Sequence, residues 1–416
     1  MTENSSLPST SSLVIIGAGP IGLETAALAA SREVDFVVLE QGAIGGNIRK
    51  WGHLRLFSPF WMNRSRLGLK HISDSNPNYI PPNRNHYLTG DEFVTSYLEP
   101  LGRAKPLSHR IFTGQQVEGI GRDQISKRDL IGDPRRSRYP FRLLVRSSAG
   151  QSIHLTRSIV DASGVYSTPR TIGNGGIPAL GEAKALEDVP ERIHFGVVDL
   201  LSMKRLLRKK SILLVGSGHS AATQISEIDS LALQLDLKVT WIWRRPDKQP
   251  YIRIPDDTLP DRDRQSALGN RLASAPPHWL TCLPGSTVES ITVKKSGRLG
   301  IDLQQKGLMK NLTVDHILAC VGFRPDAKIY RQLQVHECYA TEGPIKISAA
   351  LLESSALDCL DQEEQGIDTL RNPEPHFYIV GNKSYGTGNN FLLSDGINQA
   401  KTVMTELVPH LKSLPI

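Results

Sequence analysis

Short apolar runs alternate with helical patterns along this chain, and two of the runs end in the same punctuation. Leu13-Val14-Ile15-Ile16 predicts a strand buried on both faces, since nothing polar interrupts it. Gly17-Ala18-Gly19-Pro20-Ile21-Gly22 breaks the run, and Leu23 to Ala29 then predicts a helix. A second strand, Asp35 to Leu39, stops at Glu40. About 200 residues on, Ser211 to Val215 predicts another buried strand, followed by Gly216-Ser217-Gly218-His219-Ser220-Ala221. The apolar strand Val239 to Trp243 then ends at Arg244-Arg245. Towards the carboxyl end, His376 to Gly381 predicts a strand and Asp395 to Leu407 a helix, with no glycine loop of their own.

Strand, glycine turn, helix, strand and charged end make up the grammar of a dinucleotide site. In the first copy Gly17 permits the tight turn, Gly19 leaves room for a pyrophosphate, and Gly22 lets the helix approach the sheet. Unsatisfied amides at the helix start, near Pro20 and Ile21, then face the anion. Glu40 is placed to accept both hydroxyls of an adenosine ribose and opposes a 2'-phosphate, so this site predicts FAD or NAD. In the second copy Gly216 and Gly218 repeat the first two roles and Ala221 takes the helix-packing position, while His219 and Ser220 start the helix. Arg244 and Arg245 suit a 2'-phosphate and favour NADP; their bland reading is a salt-bridged strand end. A single-cofactor dehydrogenase needs one site, whereas passing electrons from nicotinamide to flavin needs two. The fold class expected is α/β, with two Rossmann-type dinucleotide-binding domains.

A chain of 416 residues exceeds what one core usually serves, which agrees with two or three domains. The formal charge of +7 is spread out, without a basic face bearing stacking aromatics, so nucleic acid is not an expected partner. No run approaches the roughly 20 apolar residues that span a bilayer. Residues 1–12 are rich in Ser and Thr and read as a flexible tail. Cys282, Cys320, Cys338 and Cys359 lie far apart and form no CxxC, which argues against structural zinc or a disulfide framework. No metal is expected, and the reducing cytoplasm is the expected compartment.

With both glycine loops in place, the chain resembles the flavin-dependent oxidoreductases with two dinucleotide-binding domains. That broad group holds the pyridine nucleotide-disulfide reductases and the flavin monooxygenases. Three further segments carry the resemblance: Gly45-Gly46 after Glu40, Asp161-Ala162-Ser163-Gly164, and Cys320-Val321-Gly322-Phe323-Arg324-Pro325. They look like the turn into the flavin region, the exit from the FAD domain, and the return crossing. The resemblance implies FAD and NADPH as cofactors and an NADP domain inserted into a split FAD domain. Its boundaries would be 13–170 and 343–416 for FAD and 201–323 for NADPH, with 171–200 and 324–342 as connections. Ser163, Gly164, Gly322 and Arg324 are then expected to touch cofactor. Relatives end the last strand in Gly-Asp; here Gly381 precedes Asn382, an uncharged amide expected in the same contact. Gly396 and Ile397 open a helix expected to direct amides at the flavin pyrimidine edge.

The chemistry after flavin reduction is less marked. No redox dithiol exists, and the position after Pro20, cysteine in some relatives, is Ile21. Electrons would therefore leave to dioxygen or a small molecule, giving a monooxygenase or, alternatively, a dehydrogenase, oxidase or reductase of a small metabolite; a non-catalytic nucleotide-binding scaffold is the remaining alternative. The F-x-G-x-x-x-H-x-x-x-(W/Y) segment of class B monooxygenases is absent around His194 to Leu200. Between Ile48 and Ile80, Trp51, Arg55, Ser58 and Asn63 are expected to contact flavin and substrate, with packing between domains as the competing reading. In the turn from Asn382 to Asn390, Lys383 is expected to stabilise anionic reduced flavin or a peroxide and Tyr385 to shape the substrate pocket, unless the turn is a plain connection. Residues 122–138 read as a solvated loop, and residues 246–277 as an excursion that folds over NADPH or simply extends. A small-molecule substrate and dioxygen are the expected partners, with no membrane and a homodimer as the larger assembly.

Overall fold

The apolar runs pair side by side because each is flanked by a turn and can satisfy its backbone only against another strand. In a computed structural model, residues 7–353, 360, 366–388 and 390–412 are described. Cys359, Asn389 and residues 1–6 of the expected tail lie outside the described residues. The chain forms two compact units, Met1–Thr168 with Arg324–Ile416, and Pro169–Phe323.

In the first unit, β1 (Thr10–Ile16) pairs in parallel with β2 (Phe36–Glu40), which pairs with β3 (Ile111–Thr113). On its other side β1 pairs with the end of β6 (Gly150–Asp161). The first half of β6 continues antiparallel to β5 (Phe141–Ser147), itself paired with β4 (Gln116–Arg122). Where β5 ends, the last strand, Phe377–Ile379, takes over the same edge of β6 in parallel. α1 (Pro20–Ser31) and the carboxyl-terminal helix Leu393–Lys412 pack together on one core, and Pro20 at the first helical position gives up no needed N–H.

Two expectations fail here for physical reasons. The Ser-rich tail becomes strand from Thr10, because Ser11 is buried and its hydroxyl meets His154 Nε2 at 2.8 Å while its backbone pairs with β6. The basic stretch 122–138 is not simply solvated. Arg122 and Arg136 are both buried on Glu374, at 2.8 and 3.0 Å, and Arg136 also donates to the Ser126 and Asp129 carbonyls. Arg122 further lies 3.5 Å from the Phe141 ring centroid. Composition cannot reveal that one carboxylate 238 residues from Arg136 pairs with two guanidiniums.

The second unit carries a fully parallel sheet. Its order is β10 (Leu280–Pro284), β9 (Lys238–Trp243), β8 (Ser211–Val215), β14 (His316–Ala319) and β7 (Ile193–Phe195). A separate antiparallel sheet holds β11 (Ser286–Val293), β12 (Leu299–Gln305) and β13 (Leu308–Val314). α2 (His219–Leu235) and α3 (Pro260–Ser274) cover the parallel sheet, with Trp241 and Trp243 buried beneath. Residues 171–200, read as a connection, supply β7 and buried Ile172, Ala179 and Ala185 to this unit. Residues 324–342 likewise supply buried Tyr330 and Leu333 to the first unit.

Candidate nucleotide-binding sites

At the first loop the backbone takes the course that only glycine permits. Gly17 has φ +96°, and a methyl group there would fall 2.9 Å from the Ala162 carbonyl oxygen. On Gly22 a methyl would lie only 1.9 Å from the Gly17 oxygen, so α1 can come this close only without a side chain. Gly19, the residue before α1, has no atom within 4 Å of where a methyl would stand. That open face lies at the helix start, where unsatisfied amides favour an anion. Glu40 closes β2 and accepts from Ala18 N–H at 2.7 Å and Gly42 N–H at 2.8 Å, one on each carboxylate oxygen. Each oxygen keeps acceptor capacity for a ribose hydroxyl. These features fit the adenosine diphosphate end of FAD.

The surroundings of this loop place the other expected contacts. Gly45, at φ +66°, caps the short helix Gly46–Arg49, and Gly45 N–H donates to the Ala18 carbonyl at 3.0 Å. Gly164, at φ +71°, and Gly46 both face open space. Ile21 points inward, where a methyl on Gly381 or Gly396 would meet it at 3.2 and 2.6 Å. Ile397 is buried and Asn382 half-buried. Gln399, unremarked in the sequence, accepts from Gly381 N–H at 2.8 Å and fixes the turn after the last strand.

In the second loop Gly216 has φ +123°, and a methyl would fall 2.3 Å from the Cys320 carbonyl oxygen. Gly218 opens α2 facing open space, with His219 and Ser220 next and Ala221 fully buried under the helix. No acid ends β9; Arg244 and Arg245 are both exposed. Arg245 donates to the Pro250 carbonyl, so its guanidinium already holds the following turn. Gly322, at φ +83°, accepts at its carbonyl from Arg170 N–H. Arg324 forms a two-point pair with Glu342 at 2.8 and 2.9 Å, an engagement the motif did not suggest. The excursion 246–277 is laced by Arg253–Asp263 and Arg262–Asp257 pairs and lines an open cavity of about 580 Å³. Asp256, Asp257 and Asp263 outnumber Arg253 in its lining, which opposes a phosphate there.

The expected catalytic residues each have surroundings of their own. Ser58 donates to Asn63 Oδ1 at 2.8 Å, and Asn63 Nδ2 returns to the Ser58 and Pro59 carbonyls. Both are buried, and the pair clasps a turn. Lys383 is buried and bonds Asp161 Oδ2 at 2.7 Å, which removes it from the role of an accessible cation. The signal for this was an acid closing the apolar end of β6, read only as part of a turn. Arg55 is exposed and its backbone bridges to Thr89. Tyr385 is buried, edge-on to Phe391 at 5.3 Å, with its hydroxyl 3.5 Å from Asp395 Oδ2. Trp51 is half-buried, 6.4 Å from the Tyr166 ring, and its buried Nε1 has no hydrogen-bond partner. An unpaired indole N–H at this place is the one orphaned donor among the expected contacts.

Among the described residues, Cys282, Cys320 and Cys338 are free. Burial pushes the Cys282 and Cys320 thiols up to about 12, so neither offers a thiolate at neutral pH. Hydrogen bonds from Thr341 and Ala340 hold Cys338 below its ordinary value. No described helix is long and apolar enough to cross a membrane.

The pyridine nucleotide-disulphide oxidoreductase family matches residues 14–127, the segment holding the first glycine loop and the aromatic stretch. No curated protein matches the chain by sequence. Solved structures match over nearly its whole length. Bacillithiol disulfide reductase from Bacillus cereus is 17% identical, with a TM-score of 0.67 over 96% of this chain and 99% of its own. Ornithine hydroxylase from Pseudomonas aeruginosa is 18% identical, with a TM-score of 0.62 over 97% and 100%. The cadaverine monooxygenase of Erwinia amylovora is 14% identical, with a TM-score of 0.64 over 98% and 96%. The fold is that of the two-domain FAD- and NAD(P)-binding oxidoreductases, as the sequence resemblance implied.

Proposed function

We propose that this chain is an FAD-dependent oxidoreductase whose flavin is reduced by NADPH, and that its reaction is the monooxygenation of a small molecule by dioxygen. The observation that carries the cofactor assignment is the contrast between the strand ends. Glu40 offers carboxylate oxygens at the first loop, whereas Arg244 is exposed and follows a strand that ends in no acid at the second. When bound, FAD would take a hydride from the nicotinamide and pass electrons to an acceptor. The chain's own part is to hold the adenosine at Glu40 and the open face of Gly19. At the second loop it presents Arg244 to the 2'-phosphate, while Arg245 steadies the turn beneath it.

Two structural neighbours are hydroxylating enzymes by name, and the sequence holds no dithiol, which supports small-molecule chemistry. The burial of Lys383 supports the alternative, a dehydrogenase, oxidase or reductase of a small metabolite, since it withdraws a cation that could have stabilised a peroxide. Anaerobic NADPH should bleach the flavin absorbance of the purified protein at far lower concentration than NADH. Protein that cannot be loaded with FAD would falsify the flavin assignment. Labelled dioxygen decides the rest: label in an organic product supports monooxygenation, and turnover that returns only peroxide or water defeats it.

A further inference from the structure

Lys383 and Asp161 are both buried, 222 residues apart in sequence, and meet at 2.7 Å. The same ammonium donates to Ser163 Oγ at 3.0 Å and stands 5.0 Å from the Tyr330 ring centroid. Ser163 in turn donates to Asp161 Oδ1 from its hydroxyl at 2.6 Å and from its N–H at 3.1 Å. One carboxylate and one ammonium thus fix the conformation of the chain as it leaves β6.

That turn supports the first glycine loop. Ala162 N–H donates to the Ile16 carbonyl at 3.0 Å, and the Ala162 oxygen and Ser163 Cα are the atoms nearest to where a Gly17 methyl would stand. The other end of the pair belongs to the turn Gly381–Tyr385, whose Gly381 rests on Ile21. Lys383 therefore joins the two segments on which the loop is seated.

We infer that the Lys383–Asp161 pair is a positioning device for the FAD site, holding the Ala162-Ser163-Gly164 turn and the Gly381–Tyr385 turn against the first glycine loop. This rests on the proposal that FAD occupies that loop. Lys383 acts through the turns and does not itself touch cofactor. A buried pair replaced as a whole by apolar residues of similar size is often neutral for stability, whereas removing one partner strands a charge. The double substitution Lys383→Met with Asp161→Leu thus separates position from fold, because it restores neutrality yet leaves Ser163 without its acceptor.

The test compares three proteins: the natural holoprotein, Lys383→Met, and the double variant. The readouts are FAD affinity after stripping and re-addition, followed by flavin fluorescence, the flavin midpoint potential, and the thermal midpoint. Lys383→Met is expected to lose both stability and FAD affinity. For the double variant, recovered stability with FAD affinity still at least tenfold weaker and a shifted potential is the expected result. A double variant that binds FAD as tightly as the natural chain, at the same potential, overturns the inference. A natural chain that does not bind FAD overturns the flavin assignment first, which is a different outcome.

Discussion

The two glycine loops share a backbone solution and differ in how closely helix and strand may approach. Gly17 and Gly216 both stand at positive φ, each backed by the carbonyl of a neighbouring strand's exit, Ala162 in one and Cys320 in the other. At the third position the loops part. Gly22 lies so near the Gly17 oxygen that no side chain fits, whereas Ala221 carries its methyl fully buried at the start of α2. At that third position the first loop is the tighter of the two, and its strand ends in a carboxylate already bonded to the loop it follows. The second is looser there, and its strand ends in exposed arginines. A tight, acid-closed loop suits a cofactor that stays; an open, basic one suits a cofactor that exchanges.

Reciprocal substitution tests that contrast, and its effect should be the largest. Gly22→Ala forces a methyl to 1.9 Å from a backbone oxygen, an overlap that α1 can relieve only by moving off the sheet. Overpacking of this kind costs typically about 1–3 kcal/mol and occasionally more. The expected outcome is protein purified without flavin and a thermal midpoint lowered by several degrees. Ala221→Gly should cost only about 1 kcal/mol, the propensity difference. Equal losses at the two positions, read by calorimetry, would remove the distinction.

Next in size is the contrast within the arginine pair. Arg244→Ala should raise the Michaelis constant for NADPH by about 10- to 100-fold, the worth of a charge-assisted contact of about 1.5–3 kcal/mol. NADH kinetics should stay nearly unchanged. Arg245→Ala should act mainly through the turn to Pro250, raising both constants modestly and together. Steady-state kinetics with both nucleotides separate the roles; a larger NADPH-specific effect at Arg245 would reverse them.

These differences also show where the sequence was legible. Backbone requirements are written locally: a glycine at positive φ, a small residue under a helix, a charge at a strand end. All of that could be read from Gly17 to Glu40 and from Gly216 to Arg245. Pairings across the chain are not written locally. Nothing near Arg136 announces Glu374, and nothing in the Lys383 turn announces Asp161. A buried basic residue therefore looked like a solvated or catalytic one until its distant acid was placed beside it. The Ser58–Asn63 clasp is the opposite case: its residues are local, and their hydrogen bonds to each other hold a turn.

The smallest predicted effect sets one buried histidine of the second unit against the acid range. His316 is buried between β7 and β8 on β14, with Nδ1 3.4 Å from His194 Nε2 and Nε2 without a hydrogen-bond partner. Burial, with the neighbouring His194, Arg192 and Lys210, pushes it down to about 4 from 6.5, while Asp315 pulls the other way. The folded chain thus binds its proton less readily than the unfolded chain. Stability from this group is present in full above pH 6.5 and is lost as pH falls from 6.5 towards 4. At pH 5 the loss should stay under about 1 kcal/mol, the full worth of about 1.4 kcal/mol per pH unit being reduced by partial solvent screening of the ring. His316→Leu removes the titration while keeping an apolar side chain between the strands. Denaturant unfolding at pH 7.5 and pH 5 should therefore show a smaller drop for the variant than for the natural chain. Other groups, such as His376 beside His410, will keep some slope in both proteins, so the difference between the slopes is the quantity to read. Identical slopes would mean that water reaches the His316 ring and that the interior of this sheet is wetter than its burial implies.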